Sequence, residues 1–129
     1  MFDSIWYDSL IKPQFLPPAW VFSPVWIILY GTLLTSLIIY TLTISNKHKI
    51  SGYVIFVIHM VFNLAWSLVF FSLHRIDIAL AVVVIMDLTA VFITTKFFSV
   101  SKAAGLILIP YLAWIFFATY LNTMFLILN

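Results

Sequence analysis

Four apolar runs, each long enough to cross a lipid bilayer, occupy most of this chain and constrain its fold more than any other feature. They cover residues 19–44, 53–73, 78–98 and 104–128, approximately. Crossing the hydrocarbon core takes about 20 apolar residues in a helix, and a backbone surrounded by lipid must satisfy its hydrogen bonds within the segment. The pattern therefore predicts an all-α fold, an integral membrane bundle of four transmembrane helices.

The composition agrees with one transmembrane domain over residues 1–129. Hydrophobic residues make up 65% of the chain and charged residues 8%, with a mean hydropathy of +1.20, which is far from the usage of soluble domains. Four spans leave little sequence for an extramembrane domain. The chain contains no cysteine, which excludes disulfides and thiolate metal sites. A net charge of +2 is too small to favour a nucleic-acid partner.

Prolines crowd the segment that leads into the first span. Pro13, Pro17 and Pro18 each remove a backbone donor and fix φ, so this part of the chain is not predicted to be helical. Trp20 follows where amphipathic rings favour a membrane interface. We therefore expect residues 1–18 to form a rigid lid that leads into the first helix.

The connections between the apolar runs are short and polar. Residues 45–52, SNKHKISG, are typical of a solvated loop. The turn at residues 74–77 ends in Asp77, which is placed to cap the third helix. So short a turn predicts an antiparallel hairpin of the second and third helices. Pro110 lies inside the fourth run and is expected to bend it.

Basic residues are distributed unequally between the two ends of the predicted bundle. One end has four and the other has two: Lys47, Lys49, Lys96 and Lys102, against Lys12 and Arg75. The positive-inside rule places the end with more lysine and arginine in the cytoplasm. We expect a multi-pass protein of a bacterial cell membrane, with the lid and the C-terminus on the non-cytoplasmic side.

Polar residues inside the apolar runs are the most informative positions, because a bilayer makes each of them costly. In the second run His59, Asn63 and Ser67 recur every four residues, with Trp66 on nearly the same side. This spacing places them on one helical face. Asp87 lies near the middle of the third run, and a carboxyl at that depth indicates a functional site.

A third face combines aromatic and polar residues in the same way. Trp114, Ala118 and Asn122 recur every four residues in the fourth run. The faces of three helices are expected to converge on one interior pocket. Trp26 and Trp66 lie on the faces that carry polar residues, and such rings line a slot for a flat, apolar, polycyclic ligand.

Two other interpretations of these polar residues remain open. Asp87 bonded to His59 or Asn63 would only join helices, at about 1 kcal/mol or less per contact. The chain has no second histidine or paired carboxylate at ligand spacing, so we predict no metal site. His59 stays open as an axial haem ligand. No nucleophile elbow, phosphate loop or acid pair is present in the sequence.

Three long motifs in this chain are similar to those of a known family. They are WYDSLIKPQFLPPAWVFSPVWIILY, FNLAWSLVFF and PYLAWIFFATYLN, in this order and at membrane-helix spacing. They resemble the TspO family of tryptophan-rich sensory proteins and translocator proteins, over nearly the whole chain. The resemblance implies helical membrane proteins, often dimers, that bind porphyrins such as protoporphyrin IX and haem-type tetrapyrroles.

The resemblance also implies which residues take part in binding. Tyr7 and Pro18 match the loop that covers the ligand. Seven further positions match residues that line the pocket or lie beside it: Trp26, Asn63, Trp66, Asp87, Trp114, Ala118 and Asn122. The polar stripe of the second run adds His59 to these predicted ligand-binding residues. Porphyrin is expected as a ligand, and no cofactor is required.

One departure from the family concerns the number of helices. Its members usually have five transmembrane helices, and the proline-rich segment connects the first helix to the second. In this chain that segment lies close to Met1. We therefore expect a short form that lacks the usual first helix. One wall of the bundle is then open to lipid, another subunit or a second protomer, and we expect a homodimer.

Three functions follow from these observations. The first is a membrane receptor or sensor that binds porphyrins in an aromatic pocket. The second is an enzyme that degrades bound porphyrin in light, with Trp26 and Trp114 as redox participants implied by the resemblance. The third is a small proton-coupled transporter that uses the intramembrane carboxyl of Asp87.

Overall fold

The computed structural model describes residues 9–12, 19–45 and 48–129. The helices are α1 (Ala19–Leu42), α2 (Ile50–Ser67), α3 (Ile76–Val100), α4 (Lys102–Ile107) and α5 (Ile109–Leu128). Within these residues the structure has four helical segments long and apolar enough to cross a membrane, α4 and α5 together forming the fourth. The predicted all-α membrane bundle is confirmed. The predicted lid residues Tyr7 and Pro18 lie outside the described residues.

The turn between α2 and α3 differs from the sequence prediction. α2 continues as one π-helical turn over Leu68–Ser72, and α3 begins at Ile76 with Arg75 as its N-cap. The prediction that Asp77 caps α3 is wrong, because Asp77 lies in the first turn of the helix. Its carboxylate pairs with the exposed Arg75 side chain, with Oδ2 3.0 Å from Nη2. This hydrogen bond raises the pKa of Arg75 above its ordinary value.

The fourth span is interrupted just before its proline. Leu108 separates α4 from α5, and its amide donates to the carbonyl of Gly105 at 3.1 Å. Pro110 then lies in the first turn of α5, where the amide hydrogen that it lacks has no intrahelical acceptor. The structure therefore shows a one-residue break at Leu108 inside a single apolar span, just before the proline that was predicted to bend it.

Contacts between α2 and α3 show that these helices run antiparallel, as their short connection predicts. At one end Gly52 lies against the side chain of Lys96. Further along, His59 Nδ1 of α2 lies 2.8 Å from Thr89 Oγ1 of α3. Residue numbers thus increase along α2 in the direction in which they decrease along α3, so the two helices are antiparallel.

Two clusters of buried apolar residues form the core of the bundle. The larger cluster includes Tyr40, whose ring stacks on Phe97 with centroids 4.0 Å apart. At this end Ser36 Oγ of α1 donates to the carbonyl of Ala104 in α4 at 2.7 Å. The smaller cluster, at the turn between α2 and α3, contains Phe70, Ile76, Ala79 and Phe125.

Candidate functional site

A series of side-chain hydrogen bonds crosses the bundle. Tyr30 Oη of α1 donates to Asn63 Oδ1 of α2 at 2.5 Å. Asn63 Nδ2 donates to Tyr111 Oη of α5 at 2.7 Å, and Tyr111 Oη lies 2.6 Å from His59 Nε2. His59 Nδ1 reaches Thr89 of α3. We call these five residues the polar relay.

Counting donors and acceptors fixes the direction of the polar relay. Thr89 Oγ1 lies 3.0 Å from the backbone oxygens of both Ile85 and Met86, to which its single proton is donated. Thr89 therefore accepts from His59 Nδ1–H. His59 Nε2 is left to accept the proton of the Tyr111 hydroxyl. The histidine is the neutral Nδ1–H tautomer, fully buried, with both ring nitrogens engaged.

Asn122 forms a second polar contact between three helices. Its Oδ1 accepts from Trp66 Nε1 of α2 at 2.9 Å, and its Nδ2 donates to the carbonyl of Ile76 in α3 at 3.1 Å. Asn122 is buried. The amide therefore holds the Trp66 ring against the end of α5.

Asp87 makes a different contact from the one considered in the sequence. Its Oδ2 accepts from Thr119 Oγ1 of α5 at 2.6 Å, whereas His59 and Asn63 bond within the polar relay. Of the alternatives left open by the sequence, the one in which Asp87 bonds His59 or Asn63 is therefore not the observed arrangement. Asp87 is 8% exposed, and its Oδ1 is buried without a hydrogen-bond partner among the described residues. One buried oxygen therefore has unused bonding capacity.

Aromatic rings form a continuous surface beside these polar groups. The rings of Trp26 and Trp114 meet edge to face, with centroids 6.4 Å apart and planes at 89°. Tyr30 lies 5.9 Å from Trp26, and Phe117 lies 5.5 Å from Trp114. Both tryptophans are half-buried. They therefore present part of each ring to a neighbouring molecule.

The structure arranges the predicted site residues in three ways. It brings Trp26 into contact with Trp114, and Trp66 into contact with Asn122. It buries Ala118 on the inward face of α5. His59 is fully buried, and both of its ring nitrogens are engaged in the polar relay, so ligation of haem iron would require one of these hydrogen bonds to break.

Sequence reasoning did not assign Tyr30, Thr89, Tyr111 or Thr119 to the site. Tyr111 had a usable signal, because it precedes Ala118 by seven residues and so shares its helical face. The threonines had none, since a threonine in a membrane helix commonly bonds its own backbone, as Thr94 does with the carbonyl of Ala90.

The described part of the N-terminal segment is tied to the end of α5. The Ile11 amide donates to Asn129 Oδ1 at 2.9 Å, and Asn129 Nδ2 donates to the Ile11 carbonyl at 3.0 Å. Leu10 packs against the smaller apolar cluster. The side-chain amide of Asn129 thus bonds both the backbone N–H and the backbone carbonyl of Ile11.

Replacing Asn129 with leucine is expected to release this segment. The substitution removes two exposed hydrogen bonds, each worth about 0.5–1 kcal/mol. Their loss should make deuterium exchange at the Ile11 amide roughly tenfold faster. Mass spectrometry of the peptide containing residues 9–12 measures it. Asn129→Asp is the matched control, because it keeps the oxygen that accepts from Ile11 and should retain most of the protection. Unchanged exchange in Asn129→Leu would contradict the assignment.

Comparison with known proteins identifies the family to which this chain belongs. The sequence profile of the TspO/MBR family matches residues 1–128. A tryptophan-rich protein TspO from Chlorobaculum tepidum is 39% identical over 127 residues, which are 98% of this chain and 80% of that protein.

Relatives with other names extend the similarity. A tryptophan-rich sensory protein from Cereibacter sphaeroides is 36% identical, over 91% of this chain and 72% of its own length. The human translocator protein is 32% identical, over 91% of this chain and 70% of its own length. With the four apolar helical segments, these matches show that the chain is an integral membrane protein of the TspO/MBR family.

Proposed function

We propose that this protein is a membrane receptor that binds porphyrins, protoporphyrin IX among them, against the aromatic surface formed by Trp26 and Trp114. The observation that carries the proposal is the edge-to-face contact of these two half-buried rings, with centroids 6.4 Å apart. Their contact brings α1 and α5 together around one aromatic surface. A planar macrocycle is the ligand shape that such a surface stacks against.

The polar groups beside this surface favour an apolar ligand. Asn63 and Asn122 are buried and already bond other side chains, so they present neutral walls. Among the described residues, Asp87 is the acidic residue whose side chain is buried. An uncharged macrocycle core is therefore compatible with the interior. Its carboxylate substituents belong at the water interface, where charged groups are better solvated.

The outer faces of the helices suit the other proposed partners. Ile27, Leu34 and Leu42 of α1 are exposed in the isolated chain, as expected for contact with lipid. A homodimer, and a cell-membrane location with the C-terminus on the non-cytoplasmic side, remain proposals that rest on the family and on the distribution of lysine and arginine.

Titration of protoporphyrin IX into the purified protein tests the proposal. We expect saturable quenching of tryptophan fluorescence, together with a saturable change in porphyrin absorbance. The double variant Trp26→Leu/Trp114→Leu should bind about tenfold more weakly or worse, because it removes two stacking surfaces worth about 1 kcal/mol each. Affinity is taken from the porphyrin absorbance, since this variant also loses fluorophores.

Phe116→Leu is the matched control for this titration. Phe116 lies on α5 near Trp114 but is 47% exposed, so its truncation removes an aromatic ring from the outer face. Its porphyrin affinity should equal that of the wild type. Absence of saturable binding by the wild type, or an unchanged affinity in the double variant, would refute the proposal.

The polar relay does not favour the alternative of proton-coupled transport. It ends where Thr89 donates to backbone carbonyl oxygens, which do not pass a proton on. Asp87 bonds Thr119 instead of a member of the relay. The described residues therefore show no hydrogen-bonded route that connects this carboxyl to both ends of the bundle.

A further inference from the structure

One end of the bundle is formed by segments that contain lysine but no acidic residue. These segments are residues 41–53, which include the connection of α1 to α2, and residues 96–103, which include the connection of α3 to α4. Neither contains aspartate or glutamate. Their lysines are Lys47, Lys49, Lys96 and Lys102. The two segments therefore do not compensate their own positive charge.

The described carboxylates lie elsewhere in the structure. Asp77 is in the first turn of α3, at the opposite end of that helix from Lys96, and it pairs with Arg75. Asp87 is buried near the middle of α3 and accepts a hydrogen bond from Thr119. An anion that balances the lysine charge therefore has to come from a molecule outside the described part of the chain.

Two of the lysines are brought to one place by Tyr40. Tyr40 Oη donates to the backbone carbonyl of Lys49 at 2.9 Å, and the Lys49 ammonium lies 5.7 Å from the centroid of the Tyr40 ring. The Tyr40 hydroxyl also lies beside Gly52, and a Cβ added at Gly52 would be 3.3 Å from Lys96 Cγ. Both lysines therefore border the region where α1, α2 and α3 meet.

The ammonium group of Lys49 is held in position by the end of α1. Its Nζ donates to the backbone carbonyl of Thr41 at 3.1 Å and to that of Thr43. An ammonium group has three N–H donors, so one remains for another acceptor. Lys49 and Lys96 are half-buried. A partly desolvated charge attracts an anion more strongly than a charge in bulk water, because the local dielectric is lower.

Exposed apolar side chains adjoin these charges. Leu42 and Ile44 are exposed where α1 ends, and Ile50 and Val54 are exposed in the first turns of α2. A free anion has no group to cover this surface, whereas a phospholipid has both an anionic headgroup and acyl chains. Basic pockets between membrane helices are known to bind lipid headgroups. The combination of charge and apolar surface therefore favours a lipid.

We propose that the region bordered by Lys49 and Lys96 binds the headgroup of an anionic phospholipid, with the acyl chains along the exposed apolar surface where α1 ends and α2 begins. The site selects lipids of the leaflet at this end of the bundle only. It gives the lysines a binding role in addition to their effect on orientation in the membrane. This inference does not depend on porphyrin binding.

Native mass spectrometry of the full chain tests the site. The protein is released from detergent micelles that contain phosphatidylglycerol or phosphatidylcholine with identical acyl chains, and the bound lipids are counted over a titration. Phosphatidylglycerol should bind about tenfold more tightly, because two lysines act on its headgroup. Glycerophosphoglycerol, which is the same headgroup without acyl chains, should not displace it at equal concentration.

Lys96→Gln then tests the residue. It should weaken binding of phosphatidylglycerol about fivefold and leave phosphatidylcholine unchanged, whereas Lys96→Arg should keep the preference. Lys96 is chosen because Lys49 also bonds the end of α1, so its replacement would disturb the fold. Arg75→Gln is the matched control, since it removes one positive charge from the opposite end of α3 and should also keep the preference.

Four results would overturn the proposal. Equal affinities for the two lipids would show that no selective site exists. A preference unchanged in Lys96→Gln would place the site elsewhere, and an equal loss in Lys96→Gln and Arg75→Gln would show an effect of net charge alone. Displacement of phosphatidylglycerol by an equal concentration of the free headgroup would show that the site binds an anion without using the acyl chains.

Discussion

Gly105→Ala is expected to destabilise the bundle by about 3 kcal/mol, the upper part of the range for overpacking. A Cβ at this position would overlap Phe98 Cβ and would lie 2.6 Å from Phe98 Cα. Because one of these atoms is backbone, α3 and α4 must separate to admit the methyl group. Gly105 also precedes the break that begins α5, so the shift would displace the helix that carries Trp114.

Gly31→Ala is the matched control, since an added Cβ there meets nothing within 4 Å. Alanine is the better helix former by about 1 kcal/mol, so this variant should be as stable as the wild type or more so. Unfolding in mixed detergent micelles, followed by circular dichroism, measures both. Equal stability of the two variants would show that α3 and α4 do not pack as closely as described.

Tyr111→Phe is expected to destabilise the protein by about 2 kcal/mol, because it removes the centre of the polar relay. The Tyr111 hydroxyl accepts from Asn63 and donates to His59, so both side chains lose a partner while the ring is retained. Hydrogen bonds in membrane proteins average about 0.6 kcal/mol, but a buried group left unpaired costs about 1–3 kcal/mol.

Tyr30→Phe provides the comparison at the end of the same relay. Tyr30 is 37% exposed. Removal of its hydroxyl group leaves only one acceptor, Asn63 Oδ1, without this donor. We expect less than half the destabilisation of Tyr111→Phe in the same unfolding assay. Equal effects of the two substitutions would mean that the hydrogen bonds do not form one directional series through His59.

The proline and the acidic residue at the helix ends show why local rules predicted some features and missed others. Pro110 was recognised as a disturbance, but whether a proline bends a helix or begins a new one depends on where the preceding turn ends. Asp77 has the chemistry of an N-cap, yet α3 begins one residue earlier and Arg75 engages the carboxylate. The first outcome depends on where α4 ends, and the second on how α2 and α3 meet.

The sequence by itself determined the membrane environment, the four apolar spans and the family, because hydropathy and long motifs are properties of the linear chain. It also identified the buried polar residues, since each is costly in lipid wherever its partner lies. Only the tertiary structure decided the partners. Asp87 meets Thr119 and His59 meets Tyr111 because the helices bring together residues far apart in sequence. That pairing leaves one oxygen of Asp87 unsatisfied, and the spacing of residues along a single helix does not contain this information.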